Sequence, residues 1–395
     1  MGKDANSLAG GPGRSGYSAR VANSILEDAA EIAARAEREL EALVGVSSPS
    51  GDLAGAEEAI ALCRELLPDG AASERVPCST RSCAPDLLAR STGRGARRIL
   101  LLGHVDTVFA HEDHAPMRRD GERLYGSGTA DMKGGVVLAL GVARALAARP
   151  QAFAELAVLL VTDEEWRTEP FAHVERFSGY DACLCFEAGE RGPGGVEGVV
   201  VRRKAAATLR VTATGLAAHS GSAPDQGRNA LLAVAAAARA VAAHHDPQGP
   251  ERMSAVPTVL RAGTAFNVVP AEGELVCDMR ADRLEAFDAV RAAIPDEVGG
   301  ASLEVEMLRL WPGMNTAQAT APLLAGAAAR LGRAIVGVPR GGASDASHFA
   351  TAIALTVDGL GPRGGGAHTP GEFVLAASLR ERAEVALAVA EEALG

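Results

Sequence analysis

The sequence has no run of about 18 consecutive apolar residues, so no membrane-spanning helix is expected. It also lacks a basic excess: 39 Lys plus Arg stand against 50 Asp plus Glu, a formal net charge of −11. A nucleic-acid surface needs a basic patch or stripe, and none is found, so no nucleic-acid partner is expected. Aromatic residues are scarce at 4%, and Ala, Leu, Val and Gly fill the apolar positions instead. The six cysteines (Cys63, Cys78, Cys83, Cys183, Cys185 and Cys277) follow neither zinc-ribbon nor secreted-scaffold spacing. Cys183-Leu184-Cys185 reads as two small apolar side chains on one face of a buried strand. Free thiols point to a reducing, cytoplasmic compartment. Met1 to Arg20 lacks the apolar core of a secretion signal, and Asn6 stands where a myristoylation pattern needs Ser or Thr. This segment is expected to be a disordered tail.

What is present is the composition of a globular enzyme, with 47% hydrophobic and 23% charged residues. A length of 395 residues favours two domains. Helical periodicity runs from Ala22 to Leu43, ends at Ser47-Ser48-Pro49-Ser50-Gly51, and returns from Ala54 to Leu67. Three short runs, Arg98–Leu102, Leu156–Val161 and Ala182–Phe186, are apolar almost throughout, as strands covered on both faces are. A helix over Met132–Ala148 separates the first two, which indicates an α/β layer of parallel strands.

The middle third alternates apolar and polar residues over Thr208–Thr214 and Glu274–Arg280, with helices at Asn229–His244 and Leu284–Ala293. That pattern suits a small sheet covered on one face. After Trp311-Pro312-Gly313 the α/β rhythm resumes, with a helix at Ala321–Leu331, a strand at Ala354–Val357 and a last helix after Ala376. The expected plan is a discontinuous domain, 21–202 with 311–395, interrupted by an inserted domain over 203–310 and preceded by the tail, 1–20.

The chemistry collects where the apolar strands end. The first runs into Gly103-His104-Val105-Asp106, the second into Thr162-Asp163-Glu164-Glu165, and the third into Glu187. Ligands of open α/β sheets sit beyond the carboxyl ends of the strands, so these residues converge on one rim. Asp131, in Gly126-Ser127-Gly128-Thr129-Ala130-Asp131, opens a helix nearby. Each has a plainer explanation alone: Asp131 could cap its helix, His104 could be a core histidine, and Glu164-Glu165 could be a solvated turn. Together they are harder to dismiss, because several buried carboxylates are costly without cations. Imidazole and carboxylates without thiolate suit zinc or a similar divalent ion.

These motifs, with Asp131-Met132-Lys133-Gly134-Gly135, Ala218-His219-Ser220-Gly221, Gly341-Gly342-Ala343-Ser344-Asp345 and Gly364-Gly365-Gly366-Ala367-His368, resemble the M20 family of zinc peptidases and amidohydrolases. The run Gly359-Leu360-Gly361-Pro362 with the His368 motif looks most like its glutamate carboxypeptidase branch. The resemblance covers about Glu39 to the C-terminus in order. It implies a zinc-exopeptidase-like α/β domain with a mostly parallel sheet, interrupted by a smaller ferredoxin-like lid and dimerisation domain. It further implies two zinc ions, or cobalt or manganese in their place: His104, Asp131 and Glu187 hold one, and Asp131, Glu165 and His368 the other. Asp106 orients His104, Glu164 is the general base, and His219 of a partner subunit in a homodimer meets the oxyanion.

By the same resemblance Arg280 and Asn267 grip the substrate's carboxylate, with Gly342 and Ser344 beside it. The expected substrate is a small peptide or N-acyl amino acid. Glutamate-specific members place a lysine on the approach to the inserted domain; Gly189 to Val201 contains only Arg191 and no Lys, so a glutamate preference is not implied. The rivals are a deacetylase or desuccinylase of amino-acid biosynthesis and a metal-bearing binding protein; Glu164 argues against the latter, since a binder needs no base. His111, His114, His244 and His245 are read as solvated, and His348 is given no ligand role.

Overall fold

A computed structural model describes residues 13–395, with side chains from residue 22 onward. Its central sheet has six strands in the order Ala72–Val76, Asp86–Thr92, Glu155–Val161, Arg98–His104, Ala182–Cys185, Leu355–Val357. The last four run parallel, and the first two close one edge in antiparallel fashion. Successive residues of Arg98–His104 enter different cores. Ile99 and Leu101 pack among Gly134–Ala147, the long helix Gly13–Val44 and Ala376–Leu394, whereas Leu100 and Leu102 meet Phe177, Phe349 and Val200. Burial on both faces is why this strand is apolar without alternation.

The middle of the chain forms a second layer. A sheet of five antiparallel strands, ordered Ser254–Ala262, Glu272–Ala281, Ala205–Thr214, Ala301–Trp311, Glu297–Val298, carries Ala230–Ala242 and Ala286–Ala292. The βαββαβ order is ferredoxin-like. Its own core takes alternate residues, Ala205, Ala207, Leu209 and Val211, beneath the helices, as the sequence pattern predicts. Asn229 caps Ala230–Ala242 by accepting from the Leu231 and Leu232 N–H groups, a contact worth ~1 kcal/mol.

Three expectations need correction. The tail foreseen over residues 1–20 lies outside the described residues up to residue 12, but the backbone is helical from Gly13. Extending an existing helix costs far less than starting one, so the amphipathic stretch carries its polar leader along. The helix foreseen over Met132–Ala148 begins at Gly134 instead. His114 is not solvated: both ring nitrogens are buried.

Candidate metal centre

The register of the parallel strands brings the donors together. His104 pairs with Val161, and Leu102 with Cys185, so the three strands end at one level. His104 stands on the last residue of its strand and is 1% exposed. Glu164, Glu165 and Glu187 follow within a few residues of the other two strand ends. Asp131 does not cap the following helix: Lys133 holds the cap position before Gly134 and no side chain caps that helix, while Asp131 stands two residues earlier with φ −126° and ψ 94°. The capping explanation therefore fails for Asp131.

The Asp131 carboxylate is shared. Its Oδ1 lies 3.2 Å from His104 Nε2, and its Oδ2 lies 3.2 Å from His368 Nε2. Glu187 Oε1 is 3.7 Å from His104 Nε2, and Glu165 Oε2 is 3.2 Å from His368 Nε2. Two donor groups result: His104, Asp131 and Glu187, then Asp131, Glu165 and His368. Within each, the candidate ligand atoms lie within 4.8 Å of one another. The five residues expected as ligands are thus brought together.

Around them, Asp106 Oδ1 lies 3.2 Å from His104 Nδ1, which leaves Nε2 facing Asp131. Asp106 also accepts the backbone N–H groups of Glu164 at 3.2 Å and Glu165 at 3.0 Å. One buried carboxylate so fixes the imidazole and the following strand end together. Glu164 is 7% exposed, and its carboxylate has no hydrogen-bond partner among the described residues.

In the protein alone these charges distort one another. Burial opposes a charged His104, yet its bonds to Asp106 and Asp131 hold its pKa well above the imidazole range. Burial raises Glu164 well above the carboxylate range, with Asp345, Glu165 and Glu187 adding repulsion. Burial and the Asp131 charge push Glu187 up to about 8. Bonds to Asp131 and Glu165 raise His368 to about 10.

Metal ions fit this donor set. It offers two imidazoles and three carboxylates, with no thiolate, lysine or arginine among them. Glu165 Oε1 is buried without a partner. Such acceptors crowded out of water call for a cation. Nitrogen and oxygen donors of this kind suit zinc or a similar divalent ion.

A third acidic group, Cys78, Asp86 and Asp163, is different. Asp86 is bonded by His173 at 2.7 Å and by Thr162, while Asp163 accepts from Thr80 at 2.8 Å and from Arg167 at 3.0 Å. Its charges are already matched, so nothing there calls for an ion.

The other expected residues make no hydrogen bond or ion pair with the ligands among the described residues. His219 and Asn267 flank a short strand pair of the inserted layer, Ala218–His219 with Val268–Val269, and both are exposed. The Gly221 and Ser222 N–H groups donate to His219 Nδ1 at 3.1 and 3.2 Å. No hydrogen bond or ion pair links His219 or Asn267 to the ligand residues among the described residues. Arg280 forks onto Asp278 at 3.1 and 3.0 Å. Gly342 O accepts from Arg203 at 2.9 Å, and the Ser344 hydroxyl donates to Asp358 at 2.6 Å.

Sequence reasoning missed Glu372. Its carboxylate accepts the N–H groups of Gly128 at 3.0 Å, Ala130 at 2.7 Å and Asp131 at 2.9 Å. Its place four residues after His368 was the only available signal.

The model of peptidase family M20/M25/M40 matches residues 100–392. The chain is 29% identical over 345 residues to carboxypeptidase G2 of Pseudomonas sp. (strain RS-16), covering 84% of this chain and 82% of that protein. It is 33% identical over 257 residues to succinyl-diaminopimelate desuccinylase of Xylella fastidiosa (strain M23), covering 60% of this chain and 66% of that one. Among solved structures, aminopeptidase PepT from Bacillus cereus superposes with a TM-score of 0.75 at 21% identity, over 92% of this chain and 99% of that one. With the family model spanning most of the sequence, both donor groups included, the chain belongs to peptidase family M20/M25/M40 and is a metallopeptidase or amidohydrolase.

Proposed function

We propose that this chain is a two-zinc hydrolase that cuts an amide bond beside a free carboxylate, as a carboxypeptidase or an N-acyl-amino-acid amidohydrolase. The observation that carries the reading is the Asp131 carboxylate, with one oxygen in each donor group, next to a buried and unpaired Glu164. Zinc, or cobalt or manganese in its place, would polarise the scissile carbonyl and acidify a water. His104, Asp131 and Glu187 would hold one ion, and Asp131, Glu165 and His368 the other. Glu164 takes the attacking water's proton and returns it to the leaving nitrogen.

His219 accepts two backbone N–H groups at Nδ1, so the neutral ring carries its proton on the other nitrogen. An exposed donor of this kind suits an oxyanion in a neighbouring subunit, which makes the working form a homodimer. Residues 21–202 and 311–395 then form the catalytic domain, and 203–310 the lid and dimer contact. Arg280, with Asn267, is assigned the carboxylate beside the scissile bond, and Gly342 and Ser344 line its approach. A desuccinylase-like deacylase is the second reading, favoured by the 33% identity to succinyl-diaminopimelate desuccinylase. A binding protein without turnover would have no use for Glu164.

The test is a screen of dipeptides and N-acyl amino acids, each offered as the free acid and as the C-terminal amide. Chelator should abolish turnover, zinc should restore it, and the free acids should be strongly preferred. Equal turnover of acid and amide would overturn the reading.

A further inference from the structure

A second charged cluster shares no residue with the metal donors. Arg380 and Arg382 lie on the last helix, Ala376–Leu394, and Arg363 on the segment that leads to His368. Arg333 follows the helix Ala317–Leu331, and Arg191 ends the short strand Glu190–Arg191. Three carboxylates stand among these guanidinium groups. Glu197 Oε2 accepts from Arg363 and Arg382, each at 2.8 Å, and its Oε1 lies 3.8 Å from Arg333. Glu384 takes Arg333 at 2.6 Å and Arg380 at 3.3 Å, and Glu381 takes Arg363. Arg191 has no carboxylate partner among the described residues; it donates to Gly195 O at 2.6 Å. It pairs directly across from Glu197, so the two side chains share a face. Its neighbour Glu190 is engaged elsewhere, by Arg340 at 3.5 Å.

Five arginines thus meet three glutamates, a local positive excess in a chain whose net charge is −11. The excess reaches the buried members, Arg363 and Arg382. Burial, with Arg363 and Arg333 beside it, holds Arg382 down at about 10 although Glu197 pulls the other way. Burial, then Arg191 and Arg333, lowers Arg363 as well. The Nε–H groups of Arg333, Arg363 and Arg382 are buried without an acceptor. Beside them a cavity of about 270 Å³ opens between Arg191, Glu197, Arg333 and Glu381. Both of its carboxylates are already bonded to guanidinium groups, whereas Arg191 and Arg333 keep donors to spare. Desolvated cations without enough counter-charge are costly, and guanidinium forks match the oxygens of a phosphoryl group.

We propose that this cavity binds a small divalent oxyanion, phosphate or a phosphate monoester, between Arg191 and Arg333. The site is joined to the metal centre through the backbone beneath it. Arg382 Nη2 donates to Gly359 O at 2.6 Å, and the Gly361 N–H donates to the carbonyl of the ligand Glu187 at 2.8 Å. The Gly189 N–H donates to Pro362 O at 3.0 Å, and Arg363 comes next, five residues before His368. An anion that completes the cluster therefore steadies the segment Gly359–Arg363, and with it the backbone that carries Glu187 and His368. The proposal does not depend on the reaction assigned above.

The zinc-loaded protein, freed of excess zinc, is melted with inorganic phosphate or glycerol 3-phosphate against sodium chloride of equal ionic strength, and the affinities are measured by calorimetric titration. A ligand held by the folded state alone raises the melting temperature, so the anion should add a few degrees beyond chloride. A rise with both anions assigns the site to the phosphoryl group; a rise with phosphate alone assigns it to the free ion. Arg191→Gln removes a side chain that holds no carboxylate, and it should weaken binding about tenfold or more while zinc content and the melting temperature in chloride stay as in wild type. Arg191→Glu should abolish the effect. No rise beyond chloride in wild type, or a rise that survives unchanged in both variants because the anion sits on zinc, would overturn the proposal.

Discussion

Glu372 accepts the backbone N–H of Asp131 at 2.9 Å, a bond between residues 241 positions apart that joins the shared ligand to the segment bearing His368. With the Gly128 and Ala130 N–H groups on the same carboxylate, it fixes the loop from which Asp131 reaches both imidazoles. Glu372→Ala should therefore weaken zinc binding in both donor groups by about 10- to 100-fold. Glu372→Gln, which keeps an acceptor oxygen, should lose less. Calorimetric titration with zinc measures this; unaltered affinity in the alanine variant would show that the loop holds itself.

Asp131 and Glu164 should separate metal binding from turnover. Asp131→Ala removes a donor from each group and should leave little metal bound. Glu164→Gln removes no ligand and should retain the metal while kcat falls by several orders of magnitude. Metal analysis by mass spectrometry beside a rate assay reads both effects. Near-normal turnover in Glu164→Gln would remove it as the base.

His219 makes no hydrogen bond or ion pair with the ligand residues of its own chain among the described residues, and the donor role proposed for it is one played in a second subunit. Mixing inactive His219→Ala with inactive Glu164→Gln should restore partial activity, because some heterodimers hold one intact site. No recovery after verified subunit exchange would exclude action across the dimer.

His348 predicts a pH dependence of stability. Burial, with Arg167 and Arg309 beside it, pushes the imidazole down from its ordinary 6.5 to about 3. Between those values the unfolded chain binds a proton that the folded chain refuses, so this group lowers stability as pH falls through 6.5. In His348→Phe, which can keep the ring contacts with Phe171 and Trp311, the acid side of the profile should be shallower by up to about 1.4 kcal/mol per pH unit. Urea unfolding from about pH 7.5 to pH 5 checks the sign. Parallel profiles for the two proteins would refute it.

The centre was legible because the strands that deliver it are apolar on both faces, so their ends stand out where His104, Glu164, Glu165 and Glu187 begin. Asp131 was harder: near a helix start an aspartate looks like a cap, and what separates the roles is that Lys133, two residues on, holds the cap position with no side-chain cap. Glu372 was illegible because its partners are backbone N–H groups, which any sequence supplies. Ser254–Ala262 was missed because Pro257 argues against a strand; this one lies at the sheet edge, where a missing N–H is tolerated. Ala301–Trp311 hides behind its register shift, which breaks the alternation just before Arg309.

The shared carboxylate also has a consequence for the order in which a growing chain becomes competent. Once synthesis has passed Glu187, every donor of the first group has been made, along with Glu165 of the second. His368 and the Glu372 clamp on the Asp131 loop come only after the whole inserted layer has emerged. A nascent chain at that stage holds the donors of the first group without the carboxylate that fixes the Asp131 loop. The complete donor set therefore exists only after the inserted layer has been made.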